Sequence, residues 1–492
     1  MRRKGTLAAV LAGLILAASC SRAPQSSSVR IAILPFENLT GDASLDWVAS
    51  AAPDILAEQM VGSRDAVPMR AGNISEAYLA AAARFVHGYF TQLHGNLRFE
   101  IEVEDAARHK MIAADAMSGS VLEAMNRAAH QIDPSAQPFS TANADAVAAW
   151  ARGDDQRATE LDPDFGVAWI AWAESAAQKR STAEAIDIAG RGLARQTLRS
   201  PIDRARLAVL SATLRQDQTD LQKSLAALHG LDPSDTSLAE RLAEAESRIR
   251  NFTGAADLYK QILSGEPDNP AILLALGYAQ ALAGDLDSAR KTFETYGNTP
   301  GQKTNSLDSL GEMDFVNGRF ADAEKYFLEA HDSNPGFLAG VDLFKAAYAH
   351  WLAGDLQGAD AIMARYLDFR RQTRDPLVSW REASWDYATG RRDLAMKKIL
   401  DAPRPLAERQ IAAWNAAPST DLAALKVAYE RAAPSSDGLA RTLYAAALLR
   451  AGQKDEARKL IARWPLPSDT GPDALLESTV FPRFLELRRA LQ

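Results

Sequence analysis

A recurring interval of 34 residues constrains the fold of this chain more than any other feature of its sequence. Small residues stand at Ala255, Ala289 and Ala323, and the series continues at intervals of 36 with Ala359 and Ala395. A large apolar residue follows each of them by four positions, in the order Tyr259, Phe293, Phe327, Met363, Ile399. Another small residue precedes each by twelve positions, in the order Ala243, Gly277, Gly311, Ala347, Ala383. Small residues let two helices approach closely, so the pattern predicts an α-helical solenoid of stacked helical pairs.

The clearest copy of this pattern resembles the tetratricopeptide repeat. It contains Gly311, Gly318 for a tight turn between two helices, and Pro335 to end the second helix. Earlier copies are weaker but in phase, and about eight helical pairs fit into residues 140–464. Residues 401–440 form a looser pair, and residues 465–492 resemble the segment that caps such solenoids. The resemblance implies a protein that binds other molecules rather than transforming them.

The first residues of the chain have the pattern of a secretory leader. Arg2, Arg3 and Lys4 precede a short apolar run, and small residues lead to Cys20, the only cysteine. This resembles the lipobox of bacterial lipoproteins, although Ala17 stands where leucine is commoner. The resemblance implies a signal peptide over residues 1–19, lipidation of Cys20 and a tether over residues 20–28. The alternative is an ordinary secretory signal with an incidental cysteine.

Residues 29–135 have a different pattern, which indicates a small α/β domain. Alternating β-branched residues predict a strand from Val29 that Pro35 ends, and the chain then turns into a helix that reaches about Met60. A short strand near 66–70, a helix near 75–83, a hairpin around residues 93–96 and a helix over 118–132 follow. The stretch over 29–47 resembles the opening of the TolB-like amino-terminal domain, which is related to the CsgG and FlgO envelope proteins. That resemblance implies an envelope-associated module without catalytic residues.

Four successive first helices of the solenoid carry residues that we predict to contact a partner. In the family that the repeats resemble, these positions line a concave groove. The predicted set is Tyr278, Asp308, Glu312, Phe315, Phe344, Tyr348, Trp351, Trp380 and Tyr387. Aromatic side chains give large contact areas at small entropic cost, and the acidic pair favours a ligand that carries Lys or Arg. The alternative is that these side chains pack against the next repeat.

Several classes of function find no support in the sequence. The net charge of −8 leaves no basic field that could hold nucleic acid. The seven histidines lack metal-ligand spacing, and phosphate-binding loops and nucleophile elbows are missing. We therefore expect no catalytic residues, no metal and no cofactor.

These features together predict a membrane-anchored scaffold for protein–protein interactions in the bacterial cell envelope. Protein or peptide partners would bind in the repeat groove, and the amino-terminal lipid would hold the chain at the membrane. Ser21 follows the cysteine, and by resemblance to enterobacterial sorting this suggests the periplasmic face of the outer membrane. A carbohydrate-associated or structural role in the envelope or in export is the alternative, since aromatic residues also stack on sugars. An enzyme is the third possibility.

Overall fold

The computed structural model describes residues 29–63, 65–94, 96–408, 411, 422–431 and 437–462. The chain forms two compact units, residues 1–250 and residues 251–492. Cys20 with the predicted leader and tether, and the predicted capping segment over 465–492, lie outside the described residues, as does much of the looser pair. Within the described part, every helix is too short or too polar to span a bilayer.

Five strands form a sheet in the described part of the first unit. They are Val29–Asn38 (β1), Ala66–Arg70 (β2), Arg84–Leu93 (β3), Asn96–Asp105 (β4) and Lys110–Ser118 (β5). Their spatial order is β2-β1-β3-β4-β5. β1 runs parallel to both β2 and β3, and the last three strands form an antiparallel meander. The predicted hairpin is confirmed, because Leu93 faces Asn96 across β3 and β4.

Two features of the sheet differ from the sequence prediction. Pro35 does not end β1, which continues to Asn38 through a shift in register between Ile33 and Phe36. Proline lacks an N–H donor, and an irregularity in the ladder accommodates that loss without ending the strand. β5 was not predicted, because its sequence KMIAADAMS is rich in alanine and lacks the alternation of a half-buried strand.

Three helices cover the two faces of the sheet unequally. They are α1 (Asp46–Gln59), α2 (Ile74–Leu79) and α3 (Val121–Ile132). α1 and α3 lie on the face that buries Ile33, Val86 and Phe90. On the opposite face only a small cluster around Phe85 is buried beside α2. α2 ends earlier than predicted because the chain turns through a left-handed residue, Ala81 at φ 54°, before it enters β3.

The helical pairs of the first unit share their core with the sheet. A continuous cluster of buried side chains joins Phe90 and Met125 to Val147 and Phe165. The helices are α4 (Ala144–Ala151), α5 (Asp155–Leu161), α6 (Gly166–Gln178), α7 (Thr182–Leu193), α8 (Pro201–Leu214), α9 (Gln218–Leu231) and α10 (Thr236–Arg248). The sheet and the first helical pairs are therefore one packed body within this unit.

The second unit is a succession of helices. Its described helices are α11 (Phe252–Leu263), α12 (Pro270–Ala283), α13 (Leu286–Gly297), α14 (Lys303–Val316), α15 (Phe320–Ser333), α16 (Val341–Ala353), α17 (Leu356–Gln372), α18 (Val378–Ala388), α19 (Arg392–Lys398), α20 (Leu422–Arg431), α21 (Asp437–Arg450) and α22 (Lys454–Ala462). Consecutive helices pack as pairs, α12 with α13, α14 with α15 and α16 with α17. The fold is an α-helical solenoid of the tetratricopeptide type preceded by a small α/β domain.

The small residues of the repeat lie where two helices of a pair meet. A Cβ atom added at Gly277 would come within 2.5 Å of the Phe293 ring, and one added at Gly311 would come within 2.6 Å of the Phe327 ring. Both rings are fully buried. The close approach of the backbone to an aromatic ring therefore requires a small residue at these positions. The predicted register of the repeat is confirmed.

The turns between paired helices contain a residue in the left-handed region. From the α6–α7 pair to the α18–α19 pair these residues are Arg180, Gln216, Arg250, Gly284, Gly318, Gly354 and Gly390. These seven are spaced by 36, 34, 34, 34, 36 and 36 residues, which follows the predicted repeat. Gly153 and Gly452 take the same conformation in the turns of the first and last described pairs. Glycine adopts this conformation without steric cost. In Arg180, Gln216 and Arg250 the Cβ atom makes the left-handed conformation sterically unfavourable.

Candidate partner-binding surface

The nine residues predicted to contact a partner lie on the first helices of four successive pairs. Tyr278 lies on α12, and the others lie on α14, α16 and α18. Only four of the nine side chains are half-buried and partly accessible to solvent, namely Tyr278, Trp351, Trp380 and Tyr387. The positions on the helices are as expected, and the exposure of the side chains is what decides their role.

Five of the nine residues are buried, so their side chains do not form an open groove surface in this structure. Asp308 is 2% exposed, Glu312 4%, Phe315 2%, Phe344 5% and Tyr348 3%. The cause is that α14 and α16 are buried on almost all sides along their central turns. For these five residues the structure supports the alternative, packing between repeats.

The acidic pair on α14 has an internal partner, the ammonium group of Lys345 on α16. Lys345 Nζ lies 2.6 Å from Asp308 Oδ1 and 2.7 Å from Glu312 Oε1, and the lysine side chain is 0% exposed. The same ammonium group lies 5.6 Å from the centre of the Phe327 ring. Because this cation already neutralises charge on the pair, the pair gives no reason to expect a basic ligand.

Tyr278 on α12 extends these contacts to a third repeat. The Tyr278 hydroxyl donates to Glu312 Oε2 at 2.8 Å and lies 3.1 Å from the hydroxyl of Ser309, which is fully buried. Burial, with the nearby Glu312 carboxylate, raises the pKa of Tyr278 well above its usual value, so the phenol keeps its proton. Glu312 therefore joins α12 to α16 through one carboxylate. We name Tyr278, Asp308, Glu312, Asp342 and Lys345 the buried acid–lysine cluster.

Asp342 adds a third carboxyl group beside the lysine. It is 0% exposed, and burial followed by the neighbouring Asp308 charge raises its pKa far above the usual range. Asp342 is therefore a neutral carboxylic acid at pH 7. Burial also raises the pKa of Glu312, and the Lys345 ammonium opposes that rise. One cation and one retained proton thus leave at most one net negative charge on the three buried carboxyl groups.

The aromatic residues of α16 contact one another and the next repeat. The ring centre of Tyr348 lies 5.1 Å from that of Trp385 on α18, and Trp351 lies 5.8 Å from the same indole, both edge to face. Trp385 in turn donates its Nε1 hydrogen to Asp360 Oδ1 at 2.7 Å. Phe344 packs on Tyr348 with ring centres 4.8 Å apart. These contacts hold neighbouring repeats together, as edge-to-face aromatic pairs do elsewhere.

The sequence analysis missed Lys345 and Asp342, although the residues around them carried a signal. The helix reads VDLFKAAYAHWLA, in which these two charged residues stand three apart within an apolar run. Charged residues are rarely fully buried unless they are paired, so a lysine and an aspartate in such a run indicate an internal ion pair.

The described part of the chain contains no group of three or more His, Cys, Asp or Glu side chains arranged to hold a metal ion. The carboxyl groups of the buried acid–lysine cluster contact an ammonium group and a phenol instead. Chemically, this arrangement holds charged groups and one bound proton in the protein interior.

Comparison with known proteins finds the tetratricopeptide-repeat family at residues 250–302. No curated protein matches the chain. Among solved structures, the chain is similar to YrrB, described as a TPR protein with an unusual peptide-binding site, at 12% identity over 37% of this chain and 94% of that one, with a TM-score of 0.32. It is also similar to the apo form of the quorum sensor NprR from B. thuringiensis, at 12% identity over 65% of this chain and 95% of that one, with a TM-score of 0.35.

A third solved structure, yeast Tom70, matches 75% of this chain and 90% of its own length at 13% identity, with a TM-score of 0.34. The matched family segment, residues 250–302, contains α11, α12 and α13. It also contains Ala255, Gly277 and Ala289, on which the sequence prediction rests. This chain is thus similar to tetratricopeptide-repeat proteins, and it has their solenoid fold.

Proposed function

We propose that the chain is a membrane-anchored protein–protein interaction scaffold of the bacterial cell envelope. Its solenoid would bind protein or peptide partners, and a lipid on Cys20 would hold it at the periplasmic face of the outer membrane. The tetratricopeptide-type fold supports the first part, because such repeats present extended surfaces to partners. The leader pattern before Cys20 supports the second part. The proposal assigns the chain no catalytic step.

One observation carries the binding proposal: two successive first helices present three large aromatic side chains that are only half-buried. Trp351 lies on α16, and Trp380 and Tyr387 lie on α18, at first-helix positions. Aromatic side chains on a rigid support give much contact area for little loss of conformational entropy, so they are frequent anchors at interfaces. We name these three residues the aromatic edge.

The binding proposal is tested by cross-linking from single positions. A photoreactive phenylalanine analogue placed at Trp351 or Trp380 should capture a discrete partner from envelope extracts. The control is the same analogue at Leu394, an apolar residue that is 41% exposed on α19, the second helix of its pair. Adducts found equally at Leu394, or found at none of the three positions, would contradict binding at the aromatic edge.

The anchoring proposal is tested separately. Cys20→Ser should move the protein from the membrane pellet to the soluble envelope fraction and abolish metabolic labelling with a fatty acid. Ser21→Ala is the matched control, because it keeps the thiol and should leave both readouts unchanged. A Cys20→Ser protein that stays in the pellet and keeps the label would refute lipidation at this residue.

A further inference from the structure

The point at which the chain enters the sheet determines which end of the α/β domain would face a membrane. This step rests on the proposed anchoring. β1 begins at Val29, nine residues after Cys20. An extended chain spans at most about 3.3–3.6 Å per residue, so a lipidated Cys20 would hold the start of β1 within about 30 Å of the bilayer. The end of the sheet at which β1 begins is therefore the end closest to the lipid.

Two connections lie at this same end of the sheet. The link from α2 to β3 is held to the start of β1, because Ala83 N donates to Arg30 O at 2.9 Å and Arg30 Nη1 donates to Ala80 O at 3.3 Å. The turn between β4 and β5 joins them, since Ala106 N donates to Ala83 O at 3.0 Å. Residues on these two connections thus surround the point where the chain enters the domain.

The residues that flank these connections, at the end of α2 and the start of β5, expose apolar side chains. Leu79 is 87% exposed, the highest value among the large apolar residues of the described part of the chain, and Met111 is 50% exposed. Tyr78, 44% exposed, has its ring 4.8 Å from the ring of Phe85 and its hydroxyl 3.1 Å from His109 Nδ1. Apolar groups with a tyrosine at their edge are typical of surfaces that insert into the headgroup region of a bilayer.

The charges beside these apolar residues are arranged asymmetrically. Arg108 has a side chain that is 79% exposed, and Lys110 is also exposed. The carboxylate of Asp105 is turned into its own loop, where Oδ1 accepts from Ala107 N at 3.1 Å and Arg108 N at 2.9 Å. Glu104 lies 3.7 Å from His109. Arg108 Nη1 also lies 4.0 Å from Asp105 Oδ2, at the limit of an ion pair, so Arg108 is loosely paired and still largely exposed to solvent.

From this geometry we propose that Tyr78, Leu79, Arg108, Lys110 and Met111 form a basal patch that docks on an anionic lipid bilayer. The apolar side chains enter the headgroup region, and Arg108 and Lys110 bind lipid phosphates. One acyl anchor with a short tether holds the patch near the surface, and the patch then fixes the orientation of the sheet. A protein partner for the patch is the competing outcome of the test below.

The test uses a chain in which residues 1–19 are replaced by a hexahistidine tag and Cys20→Ser removes the only native thiol. Vesicles of phosphatidylglycerol, phosphatidylcholine and a nickel-chelating lipid then bind the tag and hold the protein by its amino-terminal end. This attachment does not depend on whether the protein is lipidated in cells. Leu79→Cys provides a single site for an environment-sensitive nitrobenzoxadiazole dye. The matched control is Leu93→Cys, because Leu93 is 55% exposed at the other end of β3.

Docking predicts that the dye at Leu79 shifts to shorter wavelength and is quenched by spin-labelled lipids several-fold more than the dye at Leu93. The shift should weaken when phosphatidylglycerol is omitted. Arg108→Ser should lower the docked-to-undocked ratio about fivefold, since a cation near an anionic surface contributes roughly that factor. Arg98→Ser, at the far end of β4, should leave the ratio unchanged.

Equal quenching of the dyes at Leu79 and Leu93 would overturn the proposal, and so would equal effects of Arg108→Ser and Arg98→Ser. A Leu79 signal that appears only when an envelope protein is added would assign the patch to a protein partner and would also overturn it. Because the tag replaces the lipid, these results do not depend on lipidation. The Cys20→Ser fractionation described above reports on lipidation alone, so the two failures are distinguishable.

Discussion

Replacement of Lys345 by methionine tests the physical account of the buried acid–lysine cluster. The substitution keeps the length and most of the volume of the side chain and removes its charge. Lys345 Nζ contacts Asp308 and Glu312 at 2.6 and 2.7 Å, and the side chain is 0% exposed. The change therefore leaves two buried carboxyl groups without their cation. Loss of one partner from a buried ion pair costs about 3–5 kcal/mol, and we expect Lys345→Met to destabilise the second unit by that amount.

The assay is thermal unfolding at two pH values. For a unit of this size, about 1 kcal/mol corresponds to roughly 2–4 °C in melting temperature. The expected loss is therefore about 6–20 °C at pH 8. At pH 5 the loss should be smaller, because the absence of the cation raises the pKa of Glu312 further and a protonated carboxyl group is cheaper to bury.

Lys325→Met is the matched control for this experiment. Lys325 lies on α15 with a side chain that is 71% exposed, 3.9 Å from Glu329. Exposed pairs of this kind contribute about 0–1 kcal/mol, so the control should melt close to the parent at both pH values. A Lys345→Met protein that unfolds like the Lys325→Met control would refute the account, as would an equal loss of stability at pH 5 and pH 8.

Three further predictions follow from packing, backbone conformation and titration. Phe327→Ala should lower the free energy of unfolding by about 3–5 kcal/mol through the cavity that it leaves. Ala323→Leu should lower it by about 1–3 kcal/mol through overpacking. Both are measured by urea denaturation, and unchanged midpoints would refute the repeat register. Gln216→Gly should raise the free energy of unfolding by up to about 1 kcal/mol, because Gln216 has φ 56° and glycine relieves the left-handed strain at some entropic cost; a loss of stability would contradict this. Asp342 has a raised pKa and binds a proton in the folded state that the unfolded chain releases, so stability falls as the pH rises from about 4 towards the folded pKa. Asp342→Asn should flatten that pH dependence in melting curves, and an unaltered slope would show that Asp342 is not its source.

The repeat register could be predicted from sequence because its cause is local. Two helices of a pair approach closely only where one carries a residue such as Gly311 opposite Phe327, and that requirement recurs at a fixed interval. The hairpin at Leu93 is equally local, because neighbouring residues in the sequence form its turn.

The burial of the predicted groove residues could not be obtained in the same way. Whether Tyr348 contacts solvent depends on Trp385, 37 positions later and in the next pair. Likewise the sequence predicts that the acidic pair on α14 favours a basic ligand, whereas Lys345 of the following pair contacts both carboxyl groups. Periodicity reports which face of a helix a residue occupies, and it does not report how far the next repeat covers that face.

The buried acid–lysine cluster also has a mechanical consequence for the solenoid. In a repeat array each repeat contacts only its neighbours, and the array can bend at each junction between repeats. Here Glu312 is bonded both to Tyr278 on α12 and to Lys345 on α16, and any bend that separates these helices exposes an unpaired charge in a dry interior. We therefore expect residues 270–353 to resist bending more than the other junctions of the second unit.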